Sequence, residues 1–305
     1  MFFHSIPSPC HYLDDSALLG MPLWIKRDDL LHPVVSGNKF RKLKYPLLQI
    51  TQQTDPSSPP TLITMGGIWS NHLHAAAYAA NAFAYQSIGL IRADSSMNSA
   101  TLDDCRAQGM QLQFVDRVSY RRLRDEPLYW QTQVIGQPDN FWLPEGGSDP
   151  AALHGVAEII AELEAQQTNF PDVIVVACGT GATLAGLLAG LKGRSYVIGI
   201  AVLKNADYLR HEITRLLQQA GYPAYQNYHL LTDYHHGGYA KITPELQQFC
   251  TQFSRQSGVP IEPVYTGKVF YAIRALIKSG YFKTQTSITV LHTGGLQGAR
   301  GSLNF

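Results

Sequence analysis

Residues 172–191 read DVIVVACGTGATLAGLLAGL. The strand-like run DVIVVA stops at the glycine turn CGTGAT and continues directly as the helical pattern TLAGLLAGL. A strand that passes through a tight turn into a helix is the repeating unit of a parallel α/β sheet. The same alternation runs outward in both directions. Upstream, TLITM (Thr61 to Met65) leads through GGIWS into NHLHAAAYAANAFA. SIGLIRA (Ser87 to Ala93) then precedes a polar helix near Ala100 to Gln108, followed by QLQFV (Gln111 to Val115). Downstream, SYVIGIAVL (Ser195 to Leu203) precedes the helix ADYLRHEITRLLQQAG, and SITVLH (Ser287 to His292) breaks at TGG. This order predicts an α/β protein with mostly parallel sheets flanked by helices.

The chain has 305 residues, enough for two domains and a sizeable core. TQQTDPSSPP reads as a surface loop or hinge and PEGGSDP (Pro144 to Pro150) as a second break, so about a hundred residues between them suit a smaller domain. The net charge is +1, from 24 Lys+Arg against 23 Asp+Glu, which gives no field to draw nucleic acid or an anionic membrane. No window approaches the roughly 20 apolar residues of a membrane span. No Lys or Arg precedes Lys26 and no long apolar run opens the chain, so no signal peptide is expected. Cys10, Cys105, Cys178 and Cys250 lie far apart without a CxxC pair, which fits reduced thiols in the cytoplasm rather than disulfides or zinc. His72 and His74 form an HxH, but positions i and i+2 of a helix face different sides, so no metal is expected there.

Three turns offer the helix N-termini at which parallel sheets bind ligands: GGIWSNH, ACGTGATLAG and HTGGLQG. In the second, Gly179 and Gly181 let the backbone approach an anion while Thr180 and Thr183 add hydroxyls. The chain has no GxxxxGK[ST], and GTGATLAG departs from GxGxxG, with no acid at the end of SYVIGIAVL to hold a ribose. A single phosphate ester remains. The segment SGNKFRKLK (Ser36 to Lys44) sets Lys39, Arg41, Lys42 and Lys44 behind a Gly-Asn turn. That pattern suits either a solvated basic helix face or an anion site with a reactive lysine.

The residues IKRDDLLHPVVSGNKFRKLKYPLL, GGIWSNH, PEGGS, CGTGATLAG, GGYAK, PVYTGK and HTGGLQG occur in that order over most of the chain. The set resembles the 1-aminocyclopropane-1-carboxylate (ACC) deaminase and D-cysteine desulfhydrase family, pyridoxal 5'-phosphate (PLP) enzymes of the tryptophan-synthase-β fold, fold type II. The resemblance implies two domains, residues 1–42 with 146–305 forming the larger PLP-binding one and 43–145 the smaller. It also implies a homodimer acting on a small amino acid. Lys39 is then the lysine that joins the cofactor as a Schiff base, and a helix N-terminus favours its neutral, nucleophilic form. Lys42 and the residues Cys178, Gly179, Thr180, Gly181, Ala182 and Thr183 hold the phosphate, with Arg41 and Lys44 left to solvent. Asn71 bonds the phenolic oxygen of the cofactor. Ser70 holds the substrate carboxylate and also suits a helix N-cap. Tyr239 and Tyr265 shape the pocket or act as acid and base.

Within the family, ACC deaminases read YEGK and LGG where this chain has Thr266 (YTGK) and Thr293 (HTGG), the desulfhydrase-like pattern. A glutamate would keep the pyridine nitrogen protonated for opening a cyclopropane. A hydroxyl suits β-elimination, in which the leaving group carries off the electrons. The expected reaction is D-cysteine desulfhydration to pyruvate, ammonia and hydrogen sulfide, with ACC deamination as the alternative. Trp69 and His74 depart from the family's usual residues near the pocket. Rival readings are a dehydratase or sulfhydrylase of the same fold, a PLP-binding protein without turnover, and an NAD-dependent dehydrogenase.

Overall fold

The computed structural model describes residues 2–3, 7–14, 20–55, 57–134 and 139–301; Pro56 of the TQQTDPSSPP segment lies outside them. In chain order the strands are β1 (Cys10–Leu13), β2 (Leu23–Lys26), β3 (Thr61–Gly66), β4 (Gln86–Arg92), β5 (Gln111–Val115), β6 (Asn140–Leu143), β7 (Val173–Cys178), β8 (Tyr196–Ala201), β9 (Tyr228–Leu231) and β10 (Ile288–Leu291). The helices are α1 (Asn38–Gln53), α2 (Asn71–Ala82), α3 (Ala100–Ala107), α4 (Arg117–Asp125), α5 (Ala152–Gln166), α6 (Ala182–Leu191), α7 (Leu209–Gln219), α8 (Pro244–Ser257) and α9 (Thr266–Lys278).

These strands build two sheets. One has the order β1-β2-β10-β7-β8-β9 and is parallel except for the β1–β2 pair. The other, β5-β4-β3-β6, is parallel throughout and takes every strand from residues 61–143. A parallel strand is covered on both faces and so reads as an unbroken apolar run. TLITMG of β3 is buried at every position, and IVVAC of β7 likewise. α5, α6 and α7 pack on one face of the larger sheet, and α8 and α9 on the other. α1, α2 and α3 cover one face of the smaller sheet, while α4 and the stacked pair Trp130–Trp142 cover the other.

The charged run of SGNKFRKLK is not a solvated face. Arg41 is 2 % exposed and its guanidinium clamps Asp28, at 2.8 Å through both Nε and Nη2, and Glu162 at 2.7 and 2.8 Å. Lys26 completes the group, 2.6 Å from Glu162 and bonded to the carbonyl of Ser8. Despite the cost of burial, the two carboxylates hold the guanidinium firmly protonated. Lys44 pairs with Glu158 at 2.6 Å, also on α5. α1 meets α5 where Gly155 lies against the carbonyl of Arg41, so closely that a β-carbon there would overlap that oxygen. The basic residues therefore seat the lysine helix on α5. The same helix extends to Gln53, so the first three residues of TQQTDPSSPP are helical, not loop.

Candidate active site

Gly37 ends the approach to α1 with φ 65° and ψ −144°, a conformation essentially closed to residues with a β-carbon. Its amide donates to the carbonyl of Asp28 at 2.9 Å, and the amide of Asn38 donates to the carbonyl of Thr293 at 3.2 Å. The SGN turn and the TGG turn after β10 are thereby interlocked, and a β-carbon at Gly294 would lie 2.7 Å from Ser36 Oγ. The TGG turn in turn abuts α2, where Asn71 Nδ2 donates to the carbonyl of Gly295 at 3.5 Å. The turn after β7 closes the third side. Asn38 Nδ2 donates to Thr183 Oγ1 at 3.0 Å, and a β-carbon at Gly179 would lie 3.4 Å from Tyr265 Cε1. The SGN and TGG turns and the start of α2 thus enclose a cavity lined by Lys39, Asn71, Tyr265, Thr293 and Gln297, and the turn after β7 backs it through Asn38 and Tyr265.

Lys39 Nζ donates to Asn38 Oδ1 at 3.0 Å, and burial brings its amine down to about 8. The N-terminal end of α1 favours the same neutral form. One turn on, Lys42 is 2 % exposed and its amine is held well below the ordinary lysine range, by burial first and the charge of Lys39 second. It has no anionic partner among the described residues.

His72, buried beside it, also carries an open valence. Thr64 Oγ1 donates to the carbonyl of Leu143 at 2.7 Å, so its 2.8 Å contact with His72 Nε2 is accepted from an Nε2–H. Nδ1 is then a buried acceptor without a donor, and Asn71 Oδ1 is another. Gly147 of PEGGS faces both His72 and Lys42: a β-carbon on it would lie 3.4 Å from His72 Nδ1 and 3.5 Å from Lys42 Cε. Ser148 Oγ donates to Thr180 Oγ1 at 2.5 Å and ties this loop to CGTGAT. A buried lysine amine without an anionic partner and the N-terminus of α6, beside a second lysine of lowered pKa, fit a phosphorylated aldehyde such as PLP.

Other expected residues have different surroundings. Ser70 is the N-cap of α2 and accepts the Leu73 amide at 3.2 Å. Gly181 caps α6 with φ 85°, but a β-carbon there would point at Ile213 Cγ1, 3.0 Å away in α7, and not into the phosphate site. A bulky residue at Gly181 would therefore press on α7, and Gly179 is the position whose β-carbon faces the Tyr265 ring. Ala182 opens α6 and is buried, as are Thr183 and Cys178.

Thr293 lines the cavity but Thr266 does not. Thr266 is 1 % exposed; its hydroxyl donates to Glu262 Oε1 at 3.0 Å and accepts the Glu262 amide at 3.0 Å. The two threonines expected to act together are thus separated by their hydrogen bonding. Glu262, 2 % exposed, also accepts the amides of Val264, Tyr265 and Thr266 at 2.7 to 3.1 Å and caps α9. Burial outweighs these bonds and pushes its carboxyl up to about 7. Tyr239, 44 % exposed, stands edge-on to Tyr265 with ring centroids 5.9 Å apart.

His72 and His74 do point to different partners, Thr64 and Asp104. His74 lines a neighbouring cavity of about 300 Å³ that shares Gln297 with the Lys39 site. The four cysteines are free thiols, and burial pushes Cys105, Cys178 and Cys250 up to about 12. Sequence reading passed over Asn38, His72, Glu262 and Gln297. Asn38 was the detectable one, an amide next to the lysine at the helix start.

Comparison with known proteins agrees with this geometry. The chain is 31 % identical over 306 residues to a Pyrococcus furiosus protein provisionally named an ACC deaminase, covering 95 % of this chain and 90 % of that one. It is 31 % identical over 318 residues to the bifunctional D-cysteine desulfhydrase/ACC deaminase of Arabidopsis thaliana mitochondria, covering 96 % and 77 %. A solved structure of an ACC deaminase homologue superposes with TM-score 0.84 at 30 % identity, covering 96 % of this chain and 91 % of the other. Serine racemase of Dictyostelium discoideum, at 14 % identity and TM-score 0.62 over 96 % of this chain and 93 % of its own, shares the fold. The profile of the family described as "Pyridoxal-phosphate dependent enzyme" matches residues 1–294, and the chain belongs to that family.

Proposed function

We propose that this protein is a PLP-dependent lyase that eliminates a β-substituent from a small amino acid. D-cysteine is the favoured substrate, giving pyruvate, ammonia and hydrogen sulfide. The observation that carries the choice is the lining of the Lys39 cavity: among the described residues it holds hydroxyls, amides and one amine, and no carboxylate. Glu262, the nearest acid in the α9 segment, is committed to capping that helix. A neutral lining suits a reaction in which the electron pair leaves with the substituent. ACC deamination is the second reading, favoured by the names of the relatives.

PLP, when bound, supplies the electron sink for the pair released at Cα. Lys42 and the turn Cys178–Thr183 would hold its phosphate, and Asn71 its ring oxygen. Ser70 and the amides beside it would receive the substrate carboxylate at the start of α2. Lys39, neutral in part at neutral pH, takes the Cα proton at Nζ, with Asn38 Oδ1 steadying the amine; such a general base contributes about two to four orders of magnitude. Tyr265 walls the substrate side and Tyr239 the rim.

The decisive assay compares pyruvate release from D-cysteine with 2-oxobutyrate release from ACC on purified, PLP-loaded protein. Faster pyruvate release supports elimination; preference for ACC overturns it. Borohydride reduction and peptide mapping should place a pyridoxyl group on Lys39, and a label elsewhere sinks the site assignment. We read the chain as a cytoplasmic homodimer divided at residues 43 and 145, on the strength of its free thiols and the resemblance given above. Light scattering tests the dimer. Among the described residues no helix is long and apolar enough to cross a membrane.

A further inference from the structure

Lys268 is the last residue of PVYTGK and is 0 % exposed. A fully buried ammonium is costly unless it is closely bonded, and this one has no carboxylate within bonding distance among the described residues. It donates instead to two backbone carbonyls, of Gly238 at 2.8 Å and of Val202 at 3.3 Å. Val202 directly follows β8, the strand beside β7, so it is a fixed point of the larger sheet. Gly238 directly precedes Tyr239.

The turn that carries Tyr239 needs such an anchor. His236 has φ 51°, Gly237 95°, Gly238 119° and Ala240 53°, four left-handed residues around the tyrosine. Short-range bonds from Gly238 N to the His235 carbonyl and from Lys241 N to the Gly238 carbonyl shape the turn but do not tie it to the sheet. The Lys268 ammonium does. On the same helical turn of α9, Tyr265 presents the ring that Tyr239 meets edge-on. One short segment of α9 therefore supplies both the inner wall of the site and the fastening of its rim.

We propose that Lys268 is the positioning residue of Tyr239: by binding the carbonyls of Gly238 and Val202 together, it holds the Tyr239 ring against Tyr265 at the mouth of the Lys39 cavity. This rests on the placing of Tyr239 at the substrate pocket. Lys268 itself touches neither cavity nor substrate. Burial, which brings its amine down to about 8, makes the bond easier to lose in alkali but leaves it in place at neutral pH.

A double-mutant cycle of Lys268→Met and Tyr239→Ala, each also measured for amide hydrogen exchange in the cofactor-free protein, tests the inference. Lys268→Met should lower kcat/KM for elimination about ten- to a hundredfold, the loss expected for a charged hydrogen bond. Bound-cofactor absorbance should be retained, and the amides of residues 237–241 should exchange at least about tenfold faster. In the Tyr239→Ala background the same change should cost little more. Additive losses, or unchanged exchange at residues 237–241, overturn the proposal and leave the role of Tyr239 standing. A Tyr239→Ala protein with full activity overturns that role and this inference with it. Should Lys268→Met not fold, Lys268→Gln, whose amide can still reach one carbonyl, enters the same cycle and should show intermediate exchange; wild-type exchange there would equally refute the anchoring.

Discussion

Replacing Gly37 by alanine puts the interlocked turns under direct load. The new β-carbon would overlap the carbonyl oxygen of Thr293 and lie 2.7 Å from the amide nitrogen of Gly294. Both are backbone atoms, so neither can swing aside as a side chain does. Ordinary contact begins near 3.4 Å, so one turn must retreat by at least about 0.7 Å against the nitrogen alone. The conformation of Gly37 adds about 1–3 kcal/mol for any other residue, and overpacking about another 1–3 kcal/mol. The sum is about 2–6 kcal/mol. Displacing Lys39 by a fraction of an ångström to an ångström relative to Asn71 and Thr293 should also cut turnover, about a hundredfold at the upper end. Thermal or urea unfolding, PLP titration and pyruvate release read the three effects separately. A Gly37→Ala protein with wild-type unfolding midpoint and activity within about threefold would refute the interlock, since no arrangement of these turns accommodates the methyl group unchanged.

The two glycines of the phosphate turn should fail in different ways. Gly179→Val sends its branches toward Tyr265 and should weaken PLP binding with stability nearly kept, whereas Gly181→Val meets Ile213 at φ 85° and should cost about 2–4 kcal/mol of stability, as chemical denaturation with and without PLP would show. Arg41→Met strands Asp28 and Glu162 in the interior and should destabilise by about 3–5 kcal/mol in urea unfolding; a loss below about 1 kcal/mol would mean the cluster is not a clamp. Glu262 binds its proton more tightly folded than unfolded, so between about 4.5 and about 7 the folded state holds the extra proton and stability falls as pH rises. The gap is worth about 3 kcal/mol, and Glu262→Gln should flatten the unfolding profile over that window; an unaltered profile would contradict the assignment.

The parts of the fold legible in sequence were those whose local chemistry leaves one answer. β3 and β7 are unbroken apolar runs because both faces are covered, and Gly181 in the turn after β7 takes a left-handed φ of 85°. β1, β2, β6 and β9 are four-residue strands, all at or next to sheet edges, too short for a periodic pattern to declare them. Arg41 and Lys44 looked solvated because their partners Glu162 and Glu158 sit on α5, more than a hundred residues away. A basic run does not say which side of its helix is covered. The bonding of Thr266 is likewise illegible in sequence, because the YTGK motif does not show that Glu262, one turn earlier, takes its hydroxyl.

The buried thiols bear on how this protein tolerates its own chemistry. A catalyst that releases hydrosulfide works in the highest local concentration of that nucleophile, where oxidised sulfur species transfer readily to cysteine thiolates. With their thiols at about 12, Cys105, Cys178 and Cys250 hold thiolate at roughly one part in 10⁵ near neutral pH. Cys178 stands at the start of the phosphate turn, where a persulfide or sulfenic acid would add bulk beside Lys42. Keeping that sulfur dry and protonated leaves the turn poorly reactive toward oxidised sulfur species formed from the hydrosulfide proposed as product.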